Sequence, residues 1–155
     1  VPDDSSTSIV HGDYRMDNTV MHPTQPRVVA VLDWELSTLG HPLADFTYSM
    51  LQWVMPQIGD CAGVATIATA DLKSPGIPTP EDYVQLYCER TNRPGIDNLD
   101  YYFAFNFFKL AGILQGIVGR VRDGTASSAH AEEQAARVKP LAQTAWKFAQ
   151  QAGAV

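Results

Sequence analysis

The sequence predicts an α+β domain, mostly α, in which a short β-hairpin region is followed by a helical bundle. Three observations predict it. Up to Gly40, short apolar and β-branched steps alternate with turn-forming residues, the pattern of strands and loops. After Gly40 and Pro42 the apolar residues recur at three- and four-residue steps, the period of a helix face. The chain has 155 residues, 45% hydrophobic and 18% charged, which makes one domain's worth and excludes a disordered or fibrous polypeptide.

Ile9 and Val10 form the first apolar step, Thr19 to Met21 the second and Arg27 to Leu32 the third. His22 to Pro26 (HPTQP) separates the last two and predicts a hairpin. Leu43, Phe46, Met50 and Trp53 mark one helix that ends near Pro56, where proline removes a backbone donor. Gln57 to Pro78, rich in Gly, Ala, Thr and Pro, reads as a loose connection. Thr79 then supplies an N-cap, Pro80 the first helical position, and Glu81 and Asp82 the negative charge that a helix start favours. That helix should carry Tyr83, Leu86 and Tyr87 inward and stop near Asn92 to Gly95. A long helix follows from Asn98 to Asp123 and a last one from Ser128 to Gln151.

Gly112, Gly116 and Gly119 share a face of the long helix, at a cost of about 1 kcal/mol each relative to Ala, so close approach of another helix is expected there. Most of Tyr101, Tyr102, Phe103, Phe105, Phe107 and Phe108 should be core, as should Trp34 and Trp53. The apolar stretch from Tyr101 to Gly119 contains Asn106, Lys109 and Gln115 and is followed by Arg120 and Arg122, which favours a core helix over a membrane span.

Seventeen acids against eleven Lys and Arg give a formal charge of -6, so the chain lacks the surplus cation of a general nucleic-acid binder. Any phosphate it handles needs a bound metal or a few well-placed residues. Cys61 and Cys88 fit no CxxC pattern and read as idle thiols in a reducing compartment. A polar start with no apolar run after a basic segment agrees with a cytoplasmic location.

The chemistry is concentrated in His11 to Asn18, HGDYRMDN, and Val31 to Glu35, VLDWE. Asp13, Asn18 and Asp33 stand at loop positions beside short strands, and the hairpin is long enough to fold Asp33 back beside Asn18. Hard oxygen ligands of this kind suit a Mg²⁺ ion that completes its shell with water and substrate phosphates. Phosphoryl transfer needs an acceptor for the incoming hydroxyl's proton, a task for Asp13, and a metal to hold the phosphates, a task for Asn18 and Asp33. Taken singly, Asp13 and Asn18 are also ordinary turn formers; the joint spacing with Asp33 is what favours a site. His11 is expected to orient the loop through a hydrogen bond. Arg15, on the residues alone, reads as a surface ion-pair partner of Asp17 or a neighbouring acid. Glu35 either supports the metal site from behind or caps a helix. His22, His41 and His130 are scattered and lack metal-ligand spacing.

The pattern H-G-D-x-x-x-x-N followed by D-W-E resembles the catalytic and metal-binding loops of the aminoglycoside phosphotransferase-like (choline-kinase-type) kinases. Its Asp-to-Asn spacing equals that of the protein-kinase catalytic loop. VLDWELSTLGHPLADF is similar to the family's D-x-E…G-x-P-x-x-D extension, and within the family the chain resembles the kinase-like domain fused to, or encoded with, acyl-CoA dehydrogenases. The resemblance implies a protein-kinase-like C-terminal lobe with Asp13 as catalytic acid/base, Arg15 near the transferred phosphate, Asn18 and Asp33 as ligands of a nucleotide-bound Mg²⁺, and Asp45 bracing the catalytic loop. It implies ATP or GTP as donor and a small-molecule hydroxyl, of hydroxyacyl-CoA type, as acceptor.

The glycine-rich strand pair, strand Lys and hinge of a complete kinase are not found before His11, and Lys73, Lys109, Lys139 and Lys147 all lie downstream. Residues 1–155 are therefore read as one domain, the catalytic and acceptor-binding lobe, with the nucleotide-clamping N-terminal lobe as its partner outside this stretch; alone it is expected to be inactive. Two other readings remain: a non-catalytic kinase-like module that binds a ligand or partner, and a metal phosphohydrolase built from Asp13, Asp33 and His11. No acidic cluster points to a polycationic aminoglycoside as acceptor.

Overall fold

The apolar steps become four short strands in the computed structural model, which describes residues 2–3, 5–56, 76–125 and 131–155. They are β1 (Ser8–Val10), β2 (Thr19–Met21), β3 (Val28–Val31) and β4 (Thr38–Gly40). The expected hairpin is β2 with β3, antiparallel, with Thr19 opposite Val31 and an irregularity between Val20 and Met21. The unexpected element is β4. It pairs antiparallel with β1, placing Ile9 opposite Leu39 and Val10 opposite Thr38. Three residues are too few for a readable alternation, which is why Thr38–Gly40 passes unnoticed in the sequence.

The helix expected from Leu43 through Trp53 is two helices, α1 (Pro42–Ser49) and α2 (Leu51–Val54), separated at Met50. Two side chains bond back into α1 just before the break: the Thr47 hydroxyl donates to the Leu43 carbonyl at 2.7 Å and the Ser49 hydroxyl to the Phe46 carbonyl at 2.7 Å. Such back-bonding competes with the helical ladder and bends it. His41 caps α1, its Nδ1 accepting from the Leu43 amide at 3.2 Å, and Pro42 follows at the first helical position. The apolar residues Leu43, Phe46, Met50, Leu51 and Met55 are buried.

The chain divides into two compact units, Val1–Met50 and Leu51–Val155. The second holds α2, α3 (Pro80–Thr91), α4 (Leu99–Arg122), α5 (Ala131–Ala136) and α6 (Val138–Gln151). The start signal at Thr79 is a reciprocal capping box: Thr79 Oγ1 accepts from the Asp82 amide at 3.1 Å and Asp82 Oδ2 from the Thr79 amide at 3.4 Å. Asn92 ends α3 in the left-handed conformation. Leu86, expected inward, is exposed and Cys88 is the buried residue of α3. Trp53 is half-buried, stacked on Tyr83 with ring centroids 5.0 Å apart.

The core of this unit is α4 against α6. Tyr102, Phe103, Asn106, Phe107, Ala111 and Leu114 are buried along α4, and Leu141 and Ala145 along α6. Phe148 sits between Phe103 at 5.1 Å and Phe107 at 5.7 Å. By length and composition α4 passes for a membrane span, and it packs on α5 and α6. Of the six leading aromatics, Tyr102, Phe103 and Phe107 are buried and Tyr101 is half-buried, while Phe105 and Phe108 are exposed, at 47% and 72%. One expectation is corrected. No helix approaches the glycines: among the described residues a Cβ at Gly112 or Gly119 would meet nothing within 4 Å, and at Gly116 only the tip of Arg120. The exposed rings and the open glycines both follow from where α4 turns its buried side, away from positions 105, 108, 112 and 116.

The last helix, expected whole, is broken at Arg137 into α5 and α6, since Pro140 has no N–H to return to the Ala136 carbonyl. Its expected start at Ser128, together with His130, Cys61, Lys73 and most of the connection after Pro56, lies outside the described residues.

Candidate active site

All seven residues named from the sequence belong to the first unit. Val10, the last residue of β1, delivers the chain to His11, which is buried at 3% exposure. The ring is committed at both nitrogens. Nε2 donates to the Leu32 carbonyl at 2.7 Å, and Nδ1 accepts from the Asp13 amide at 3.3 Å. A carbonyl only accepts and an amide only donates, so the ring carries its proton on Nε2. Trp34 lies beside it, ring centroids 4.8 Å apart. Trp34 is half exposed, contrary to the core position expected, because its indole N–H bonds the Val31 carbonyl at 2.8 Å at the rim of the strand.

Gly12 follows in the left-handed region with φ 85°, and a Cβ there would stand 2.7 Å from the Leu36 carbonyl oxygen. Only glycine satisfies both demands. Asp45, on α1, accepts the His11 amide on Oδ2 at 2.7 Å and the Gly12 amide on Oδ1 at 2.9 Å. Charge-assisted bonds to consecutive amides hold the loop where β1 leaves it.

Asp13 and Asn18 are in contact. Asn18 Nδ2 donates to the Asp13 carbonyl at 2.9 Å and to Asp13 Oδ2 at 3.2 Å. Both atoms are acceptors, so the amide nitrogen must face them and Oδ1 of Asn18 is left without a partner among the described residues. The second Asp13 oxygen, Oδ1, accepts from the Tyr48 hydroxyl at 2.7 Å. Burial, then the bond to the Asp13 carboxylate, pushes the Tyr48 phenol well above its ordinary range.

Asp33 is tied to the Asn18 segment through the backbone. The Leu32 amide donates to the Asn18 carbonyl at 2.8 Å, extending the β2–β3 ladder, while the Leu32 carbonyl receives His11. Asp33 is the next residue. It is left-handed, with φ 66° and ψ 51°, and its exposed carboxylate makes no bond to the described residues. Glu35 lies in the 3₁₀ turn Trp34–Leu36, exposed, and makes no bond to the described residues. Arg15 is bonded to Asp17 at the surface. Burial would lower its pKa; the bond to Asp17 and the fields of Asp17 and Asp13 outweigh that and raise it.

Among the described residues no three His, Cys, Asp or Glu side chains gather into a metal site of their own. A donor set of one carboxylate and one amide oxygen suits an ion that arrives with phosphates and keeps its waters, as Mg²⁺ does. Sequence reasoning missed Tyr48. Its one signal is the three-residue step from Asp45, which puts both on one face of α1.

Comparison with known proteins identifies the family. The profile of the phosphotransferase enzyme family (APH) matches residues 1–83. Acyl-CoA dehydrogenase family member 10 of Mus musculus is 43% identical over 153 residues, covering 99% of this chain and 14% of that protein. Acyl-CoA dehydrogenase family member 11 of Gallus gallus is 41% identical over 92% of this chain and 18% of that protein. The crystal structure of a candidate aminoglycoside phosphotransferase from Ralstonia eutropha JMP134 superposes with a TM-score of 0.83 at 51% identity, covering 94% of this chain and 43% of that one. The chain thus spans less than a fifth of these curated relatives and under half of the solved one. With its residues 1–83 matching the profile and its fold that of a kinase-like phosphotransferase, the chain belongs to the phosphotransferase enzyme family.

Proposed function

We propose that this chain is the catalytic lobe of a Mg²⁺-dependent kinase that transfers the γ-phosphoryl group of ATP, or GTP, to a hydroxyl of a small molecule. One observation carries the reading: Asp13 is fixed by bonds to both carboxylate oxygens, while the Asn18 amide oxygen and the carboxylate of Asp33, the residue after the Leu32 amide that bonds the Asn18 carbonyl, make no bond to the described residues. Asp13 takes the proton of the incoming hydroxyl and aims its oxygen. Asn18 and Asp33 hold the ion, which, when bound, neutralises charge on the phosphates. His11 and Asp45 keep the loop in place and exchange no proton with substrate. Arg15 reaches the transferred phosphate by leaving Asp17, an exposed pair of little net strength.

The acceptor class follows from the company the relatives keep. Those named as acyl-CoA dehydrogenases contain this stretch as a small part of a longer polypeptide, which favours a hydroxyacyl-CoA-type acceptor and the remaining lobe and domains in the same protein. Support for a phosphohydrolase is weak, since both nitrogens of His11 are already bonded.

The test is phosphoryl transfer from ATP in the full-length protein carrying Asp13→Asn. Losing the acid/base group should cut the rate by roughly 10² to 10⁴. A rate equal to that of the unaltered protein would remove Asp13 from the chemistry; tight Mg²⁺–nucleotide binding with no transfer in either protein would favour a binding module.

A further inference from the structure

We infer that Tyr48 is a positioning residue for Asp13, its hydroxyl setting the direction in which the carboxylate meets the acceptor. The inference rests on the kinase reading of Asp13. Asp13 lies in an irregular loop, one residue after a left-handed glycine, where nothing in the backbone fixes its side-chain torsions. Two donors from separate elements fix them instead. Asn18 bonds Oδ2 at 3.2 Å and Tyr48, from α1, bonds Oδ1 at 2.7 Å. The second is the shorter, an O–H donor on a carboxylate, the stronger type of bond. The phenol is also rigid, with two torsions to order, and so locates an oxygen more sharply than a flexible donor does.

Tyr48 and Asp45 stand three residues apart on one face of α1. That face grips three consecutive residues, the His11 and Gly12 amides through Asp45 and the Asp13 side chain through Tyr48. Backbone and carboxylate are registered against the same rigid helix. The phenol's raised pKa keeps it a donor throughout the neutral range.

Tyr48→Phe keeps the ring and removes only the hydroxyl. In the full-length protein kcat should fall tenfold to a hundredfold, the scale of a misplaced reacting group. KM for nucleotide and acceptor should stay within about twofold, because the hydroxyl addresses Asp13 rather than either substrate. A crystal structure of the variant should show the Asp13 carboxylate rotated or in more than one rotamer. Unchanged kcat, with or without a lower melting temperature, or an unmoved carboxylate would overturn the inference. Asp13→Asn is measured alongside. If that variant keeps full activity, the kinase reading of Asp13 has failed, and the orientation of Asp13 in Tyr48→Phe decides the positioning role by itself.

Discussion

Leu32 brings no side-chain chemistry to the site, and its side chain is half exposed, yet its peptide group joins the site's parts. Its N–H goes to Asn18 and its C=O receives His11, so Asp33 starts from a fixed point. Asp33 itself is left-handed, which Asp and Asn tolerate and a β-branched residue does not. Asp33→Asn should therefore keep the melting temperature within a degree or two while weakening Mg²⁺-dependent nucleotide binding at least tenfold. Asp33→Val should cost about 1–2 kcal/mol of stability as well. Thermal melts beside nucleotide titrations in the full-length protein separate the two effects. That Asp13 and Asn18 meet in one loop was legible because turn chemistry depends on residue type and spacing, which a sequence displays. Tyr48 was not, because helical spacing gives the face a side chain shares and not the loop that folds onto it.

Helices illustrate a different balance. The capping box at Thr79 and the long run of α4 could be read directly, being decided by contacts within a few residues. The breaks at Met50 and Arg137 could not, since an apolar period runs through both. Arg137 is buried, and its Nε has no partner among the described residues, so neither its charge nor a cap reads as a helix-start signal. The glycines of α4 supply the prediction at this scale. A methyl group at Gly112 meets nothing within 4 Å, so Gly112→Ala should stabilise the helix by about 0.5–1 kcal/mol, read as a rise in melting temperature. A fall would mean that this face is covered in the full-length protein.

At the scale of the whole molecule, the kinase-like fold was legible from the switch of period near Gly40 together with the catalytic motif. The division after Met50 was not, because the apolar residues of α1 and α2 form one uninterrupted series. The two units are built differently. The helical one has an interior of stacked aromatics, whereas the other relies on short strands whose pair Ile9 and Leu39 is 73% and 72% exposed. Units held by fewer buried apolar contacts open at lower free energy. The grip of Asp45 on two consecutive amides then has a kinetic signature. Deuterium uptake at His11 and Gly12 should rise together, about tenfold or more, when Asp45→Ala removes their shared acceptor, while amides in the middle of α4 keep their native exchange rates. Those two amides form a clock for the motif itself, ticking whenever the loop lets go of its helix, whether or not any phosphate is moving.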